Sequence, residues 1–185
     1  MEKVLIVHTK YQQIGGEDIA VLNEYNFLKN KFIVEIIYFD NSKFNIFTLL
    51  KIFLFNVNQR SLNELKLKIK EFDPDFIYIH NLWFNGSVGL LKYLVKSDIN
   101  FALKLHNFRN TCTKNILTKN HIGFNTFCMG CGNEYKKSTI LNKYFKDSWF
   151  KSILVMRYGK SFFKILKSHS FSIFVLTDFY KSYLM

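Results

Sequence analysis

The sequence predicts an α/β domain built on a doubly wound, mostly parallel sheet. Short apolar runs alternate along the chain with amphipathic segments, and the first run, at residues 3–8, has the continuous pattern of a strand buried on both faces. Such strands occur in parallel sheets that helices cover. With 185 residues, 49% of them hydrophobic, and only 3 Cys, the chain matches one packed domain and neither a disordered nor a disulfide-stapled protein.

Helix start and stop signals support this alternation. Glu17 and Asp18 stand where acidic side chains stabilise the first turn of a helix at 17–30. A Ser-x-x-Glu capping box at 61–64 predicts the start of another helix, and Asp-Pro-Asp at 73–75 predicts its end. The other predicted elements are a loop at 9–16, strands at 32–39, 76–80, 101–106 and 171–176, and helices at 88–96, 153–168 and from residue 178.

Three of the five histidines end predicted strands. These are His8, His80 and His106, and the last two are followed by Asn81 and Asn107. The carboxyl ends of parallel strands meet at one edge of a sheet, where ligands bind. The sequence therefore predicts a polar cleft at this edge, although a structural role for each single histidine stays open.

A glycine pair, Gly15 and Gly16, lies between the first strand and its helix. Glycines there allow backbone amides to approach an anion at the positive end of the helix. Neither a Gly-x-Gly-x-x-Gly fingerprint nor a Gly-Lys-Ser/Thr loop is present, so the sequence does not predict an NAD site or a Walker-type ATP site. A plain tight turn is the alternative.

The three cysteines lie in a loop-like stretch at 107–133. Cys128 and Cys131 form a Cys-x-x-Cys pair, Cys112 is a candidate third ligand, and His121 is the histidine within the stretch that would complete a tetrahedral zinc site. Free buried thiols are the alternative. A disulfide is not expected, because the protein is predicted to be cytoplasmic.

Positive charge is concentrated in the second half of the chain. Residues 1–91 hold 10 Lys/Arg and 10 Asp/Glu, whereas residues 92–185 hold 16 and 4, which accounts for the net charge of +12. This asymmetry favours an anionic partner, while a compositional bias toward Lys and Asn explains it equally well. In the helix at 153–168, one face is apolar and the opposite face carries four cations, Arg157, Lys160, Lys164 and Lys167.

A cytoplasmic location is expected from the absence of a signal-peptide pattern and of a membrane span. The longest apolar stretch, at 44–57, is interrupted by Lys51. The basic amphipathic helix at 153–168 packs on its own core in the simpler interpretation, and additional contact with an anionic membrane would make the protein peripheral on the inner membrane face.

Several of these segments together resemble the amino-terminal domain of family 4 glycosyltransferases, which are retaining enzymes of the two-domain GT-B fold. The stretch at 4–18 (VLIVHTKYQQIGGED) is similar to the opening strand and Gly-Gly-Glu loop of the family, 74–81 (PDFIYIHN) to its PD-x-V-H-x-HN strand, and 105–112 (LHNFRNTC) to its LHN-Y/F-R-x-x-C motif. The cysteine-bearing stretch at 128–131 and the segments at 143–148 and 175–179 are also similar. Lys143 stands where many members have a fourth cysteine.

The resemblance implies transfer of a hexose from a nucleotide sugar to a glycan or lipid-linked acceptor in surface polysaccharide or glycan synthesis. His106 would be the catalytic residue in the cleft, and no cofactor would be required beyond a structural zinc at the cysteines. Binding of the donor or acceptor would involve Gly15, Gly16, Glu17, His80, Asn81, Asn107 and Arg109. Residues 1–185 would form a single Rossmann-like domain, with the carboxyl-terminal donor-binding domain of the family absent and the chain alone inactive.

Two other classes of function remain open at this stage. The domain could be a non-catalytic binding module, or a basic protein that binds membranes or nucleic acid. A complete carboxyl-terminal Rossmann domain encoded downstream would favour the enzyme, and steeply salt-dependent binding to RNA or DNA that nucleotide sugars do not affect would favour the basic binder. No specific nucleic-acid partner is expected.

Overall fold

The computed structural model describes residues 1–11, 13–41, 46–107 and 148–185. The chain divides into two compact units, one formed by residues 1–106 and 171–185 and the other by residues 107–170. The first unit is built on a five-stranded sheet in which every pairing is parallel. The predicted α/β class and the parallel sheet are confirmed.

The elements alternate as the sequence predicts, with shifts of a few residues at their ends and with one additional helix, at 46–55, that the sequence analysis did not predict. The strands are β1 (Lys3–Lys10), β2 (Ile33–Asp40), β3 (Phe76–Asn81), β4 (Phe101–Leu105) and β5 (Ser172–Val175). The helices are α1 (Gly16–Leu28), α2 (Ile46–Phe55), α3 (Gln59–Phe72), α4 (Ser87–Leu94), α5 (Trp149–Ser168) and α6 (Asp178–Leu184). Helix α5 belongs to the second unit and the other described elements to the first.

The strand order is β2-β1-β3-β4-β5. The chain moves outward in one direction from β1 to β2 and in the other from β3 to β5, so the topological switch point lies between β1 and β3. In open parallel sheets, this is where the loops after neighbouring strands diverge and leave a crevice at the carboxyl edge. The sheet order therefore puts the ends of β1 and β3 at the centre of any candidate site.

The two faces of the sheet differ in polarity. On one face the central strands bury apolar side chains such as Leu5, Val7 and Ile79, and α3 covers this face, with Lys68 paired to Glu35 of β2. On the other face the same strands carry polar side chains toward the carboxyl edge, and α1 covers them. The hydrophobic core thus lies mainly on the α3 side.

Helix α3 begins earlier than the predicted capping box. Asn58 is the N-cap, and its side-chain oxygen accepts a hydrogen bond from the N–H of Arg60. Ser61 lies inside the first turn, is buried, and donates its hydroxyl to the carbonyl of Asn85, so the predicted cap at Ser61 is wrong. The predicted stop is confirmed, because Asp73 ends α3 in the left-handed conformation at φ 51°.

Helix α5 is amphipathic, as predicted, and starts at 149 rather than 153. Val155, Tyr158 and Phe162 are buried, whereas three of the predicted cations on the opposite face are exposed, namely Lys160, Lys164 and Lys167. Among the parts of the chain that the structure describes, no helix has the length and apolar content needed to cross a bilayer. Contact with a membrane surface stays a prediction.

Replacing Gly86 by Ala is expected to destabilise the first unit. A Cβ at this position would lie 2.7 Å from Thr9 Oγ1 and 3.1 Å from the Leu82 backbone, so it forces the loop after β3 away from β1. Overpacking of this kind costs about 1–3 kcal/mol. Gly16→Ala is the matched control, because a Cβ there meets no atom of the described residues within 4 Å outside its own helix turn. Urea denaturation of both variants measures the difference, and equal midpoints would contradict the close packing.

Candidate functional site

The three predicted histidines lie together at the carboxyl edge of the sheet. His8 belongs to β1, which continues for two more residues, His80 belongs to β3, and His106 follows β4 directly. Nδ1 of His80 lies 2.9 Å from Nε2 of His106. The ring centroids of His8 and His80 are 6.3 Å apart. The structure thus brings the histidines to the switch-point edge, while their roles in binding or catalysis stay predictions.

These histidines belong to a row of rings across four neighbouring strands. Tyr38 of β2 contacts the His8 ring edge-to-face at a centroid distance of 6.2 Å, and His80 and His106 stack at 5.2 Å. His8 and His80 are buried, whereas His106 is only half-buried. His106 is therefore the histidine of the row that a ligand can reach most directly.

The first turn of α1 is fixed to this row through Asp18. One carboxylate oxygen, Oδ2, accepts the backbone N–H of Gly15 at 2.8 Å, which closes the N-terminus of the helix. The other oxygen, Oδ1, lies 2.9 Å from Nε2 of His8. Asp18 therefore holds the Gly15–Gly16 turn and His8 in one arrangement.

His8 is neutral, and its proton lies on Nε2. Burial lowers the pKa of His8 and outweighs the opposing effect of Asp18. In Asp18, burial acts to raise the pKa, but the hydrogen bonds from Gly15 and His8 prevail and lower it, so this carboxylate is ionised. Since an ionised carboxylate only accepts hydrogen bonds, Nε2 of His8 donates and Nδ1 keeps its lone pair. Nδ1 is buried without a hydrogen-bond partner among the described residues.

His80 and His106 form a neutral pair. Burial, followed by the neighbouring His106, lowers the pKa of His80 to about 3. Burial, followed by Lys104, lowers the pKa of His106 to about 4. Nε2 of His80 faces a carboxylate oxygen of Glu24 at 3.5 Å, which favours a proton on that nitrogen. Nδ1 of His80 then accepts the Nε2–H of His106, and Nδ1 of His106 is left as an acceptor for a ligand hydroxyl.

Glu24 of α1 provides the negative charge beside this pair. Its carboxylate forms an ion pair with Lys104 of β4. Burial raises the pKa of Tyr78, and Glu24 raises it further, so this hydroxyl stays protonated as a donor. Lys104 is mostly withdrawn from solvent, and such a cation requires a carboxylate partner.

The start of α1 leaves space for a ligand at Gly16. Apart from its chain neighbours and its own helix backbone, no atom of the described residues lies within 4 Å of a Cβ built there, and the helix end carries a partial positive charge. The neighbouring acids are held by protein groups, Glu17 by the Tyr11 hydroxyl at 2.7 Å and Asp18 by Gly15 and His8. An anion at this end would therefore contact the Gly16 backbone.

The predicted binding residue Asn81 is engaged by the backbone. Its amide donates to the carbonyl of Thr9 at 2.9 Å, and its oxygen accepts the N–H of Trp83 at 2.8 Å. Asn107 follows His106 as the first residue of the second unit. The other predicted site residues lie outside the described residues, namely Arg109, Cys112, His121, Cys128 and Cys131.

Asparagines that sequence reasoning did not select hold the loop after β3 at this edge. Asn41 donates to the carbonyls of Lys10 and Trp83 and accepts the N–H groups of Phe84 and Asn85. Asn85 in turn donates to the carbonyl of Asp40 at 2.6 Å. These bonds connect the ends of β1 and β2 to the loop, so the crevice has a fixed wall. Asparagine directly after a strand is the sequence signal for this role.

Metal binding finds no support in the part of the chain that the structure describes, where no cluster of three or more His, Cys, Asp or Glu side chains could hold an ion. The zinc prediction concerns residues outside that part and is not tested. Comparison with family models, with curated proteins and with solved structures finds no match. The family resemblance therefore stays a proposal.

Stability is expected to fall as the pH decreases from about 6.5 toward 4. In this window unfolded histidines bind protons, whereas the folded state keeps His8, His80 and His106 neutral because their pKa values are lowered. The unfolded state therefore binds more protons, and the free energy of unfolding rises with pH by up to about 1.4 kcal/mol per pH unit for each histidine.

Urea denaturation at pH 7.5, 6 and 5 measures this slope. His80→Gln should flatten it whatever its effect on stability at pH 7.5, and His169→Gln, at an exposed histidine, is the matched control. A slope that His80→Gln leaves unchanged would contradict the neutral assignment.

Proposed function

We propose that this chain is the amino-terminal, acceptor-binding domain of a retaining GT-B glycosyltransferase, which transfers a hexose from a nucleotide sugar in surface polysaccharide or glycan synthesis. The observation that carries the proposal is the neutral His80–His106 pair at the switch-point edge of a parallel sheet. The sequence resemblance supports it, because both histidines stand at motif positions of that family.

His106 would position the acceptor hydroxyl. Its Nδ1 has a lone pair, and its Nε2–H is occupied by His80, so the ring is held in one orientation and accepts one hydrogen bond from a ligand. A neutral ring serves this purpose better than a cation, because an imidazolium has no acceptor nitrogen. In retaining transfer with front-face departure of the nucleotide, the acceptor hydroxyl must be held close to the sugar, and no carboxylate nucleophile is needed.

The donor diphosphate would lie against the start of α1. Gly16 is open there, and the backbone at the positive helix end favours an anion. The resemblance adds Arg109 as a source of positive charge for the leaving phosphate. The donor subsite would then lie after β1 and the acceptor subsite at the end of β4, on the same edge of the sheet.

His106→Ala is expected to lower sugar transfer at least about 100-fold, because misplacement of a reacting group by 1 Å costs that much. The assay uses a panel of UDP- and GDP-sugars with the 185-residue chain alone and joined to a carboxyl-terminal domain of the family. The chain alone should bind nucleotide diphosphates weakly and transfer no sugar, and the joined protein should transfer the sugar.

His169→Ala, at an exposed histidine, is the control for this substitution. Unchanged transfer by His106→Ala would contradict the role of His106. Robust turnover by the chain alone would contradict the need for a second domain, and binding without turnover in every form would favour a non-catalytic module.

A lipid-linked acceptor would bring the protein to the cytoplasmic face of the membrane. The exposed lysines of α5 support this location, since each cation near an anionic surface contributes about 1 kcal/mol. We expect co-sedimentation with vesicles containing phosphatidylglycerol and not with neutral vesicles at low salt. Joint replacement of Lys160, Lys164 and Lys167 by Gln should abolish it.

The matched control replaces three exposed lysines of the first unit, Lys66, Lys92 and Lys96, by Gln. Equal loss of vesicle binding in both triple variants would show that net charge, rather than the face of α5, is responsible. Equal binding to neutral and anionic vesicles would remove electrostatic attraction as the cause.

A further inference from the structure

A second recess of the first unit lies at the opposite edge of the sheet from the histidines. It is an open cavity of about 560 Å³ between the end of α1 and the starts of the central strands. Leu28 and Phe32 form its helix side, and Val4 and Phe76, which are paired in register on β1 and β3, form part of its floor. This volume is in the range of small-molecule sites.

Aromatic rings dominate the lining. Phe32, Phe76, Tyr78 and Phe174 all face the cavity, and the rings of Tyr78 and Phe174 meet edge-to-face at a centroid distance of 5.9 Å. Phe174 is 52% exposed, which is unusual for a phenylalanine on a sheet. Aromatic faces carry negative electrostatic potential and attract cations that lose their water against them.

The charged groups of the lining are negative among the residues that the structure describes. Glu2 and Asp75 border the cavity, and no described lysine, arginine or histidine is part of the lining. The backbone N–H of Lys3 donates to Asp75 Oδ2 at 2.7 Å and so fixes this carboxylate, while the Lys3 ammonium lies over Phe72 instead. In a chain of net charge +12, an acid-bordered recess is a local reversal of charge.

The end of α1 adds to this preference. Leu28 is the last residue of the helix, and the last turn contains no basic side chain to compensate the negative end of its dipole. The following lysines have their ammonium groups near other rings, Lys29 over Tyr25 and Lys31 over Phe27. The helix end, two carboxylates and four rings therefore all favour a positive ligand.

We propose that this cavity binds a small organic cation, an ammonium group carried on a compact apolar body. The ammonium group contacts the ring faces and is neutralised by Glu2 and Asp75, and its apolar body lies on Val4 and Leu28. This site differs from the proposed glycosyltransferase site, because Glu2, Val4, Asp75 and Phe76 lie at the amino ends of the strands, and Tyr78 contacts both sites.

Choline and its neutral isostere 3,3-dimethylbutan-1-ol test the proposal. They have nearly the same shape and differ in charge, so calorimetric titration of the 185-residue chain with each isolates the contribution of the cation. We expect choline to bind at least about tenfold more tightly than the isostere. Equal binding of the two, or no binding of choline at tens of millimolar, would overturn the proposal.

Substitutions locate the binding. Asp75→Asn and Phe174→Leu should each weaken choline binding about fivefold, because they remove a charge and a ring while keeping similar volume. Glu71→Gln and Asp98→Asn remove exposed acids outside the lining and are the matched controls. Both cavity residues are largely exposed, so the variants should fold.

Equal weakening by the control variants would show nonspecific attraction and would also overturn the proposal. Neither result depends on sugar transfer.

Discussion

Two carboxylates of one helix, Asp18 and Glu24, connect the first unit's polar sheet edge to α1. They are six residues apart, which is about 9 Å along a helix axis. Asp18 bonds to His8 on β1, and Glu24 pairs with Lys104 on β4, so the helix spans the intervening strand β3. Lys104 needs this partner, because a cation held away from solvent is costly without one. The ion pair thereby fixes how α1 lies over the histidines.

This arrangement buries imidazoles in their neutral form. Asp18 acts to raise the pKa of His8 and Glu24 that of His106, yet burial prevails in both, and burial also lowers the pKa of His80. Buried ring nitrogens on His8 and His80 have no hydrogen bond within the described residues, which reduces stability. Bonds from Asn41 and Asn85 meanwhile keep the adjacent loop in place. A fixed wall beside unpaired ring nitrogens suits ligand binding better than it suits packing, and this difference favours a functional interpretation of the edge.

The sequence predicts the parallel sheet well, since buried strands have long apolar runs and their carboxyl ends must share an edge. Pairs distant in sequence are beyond such patterns: Glu24 and Lys104 are 80 positions apart, and nothing local couples them. The predicted N-cap of α3 was wrong because both Asn58 and Ser61 have side chains that can cap a helix. The Asn58 side chain accepts the N–H of Arg60, whereas the Ser61 hydroxyl bonds to the distant Asn85, a contact that the local sequence does not indicate. Asparagine is frequent throughout the sequence, so its occurrence at positions 41 and 85 did not indicate a structural role.

Helix α1 separates two edges of opposite electrostatic preference. The start of α1 is open at Gly16 and favours an anion, because the helix dipole is positive there. The end of α1 at Leu28 borders the recess and favours a cation, because the dipole is negative there. Its outer side exposes Ile19, Leu22 and Phe27, so polar contacts to the sheet contribute more to its anchoring than is usual for such helices. Tyr78 belongs to both edges, since its ring contacts the His80 ring at a centroid distance of 4.6 Å and also lines the recess. A ligand that moves the Tyr78 ring would therefore disturb His80 directly, which gives the two edges a physical connection.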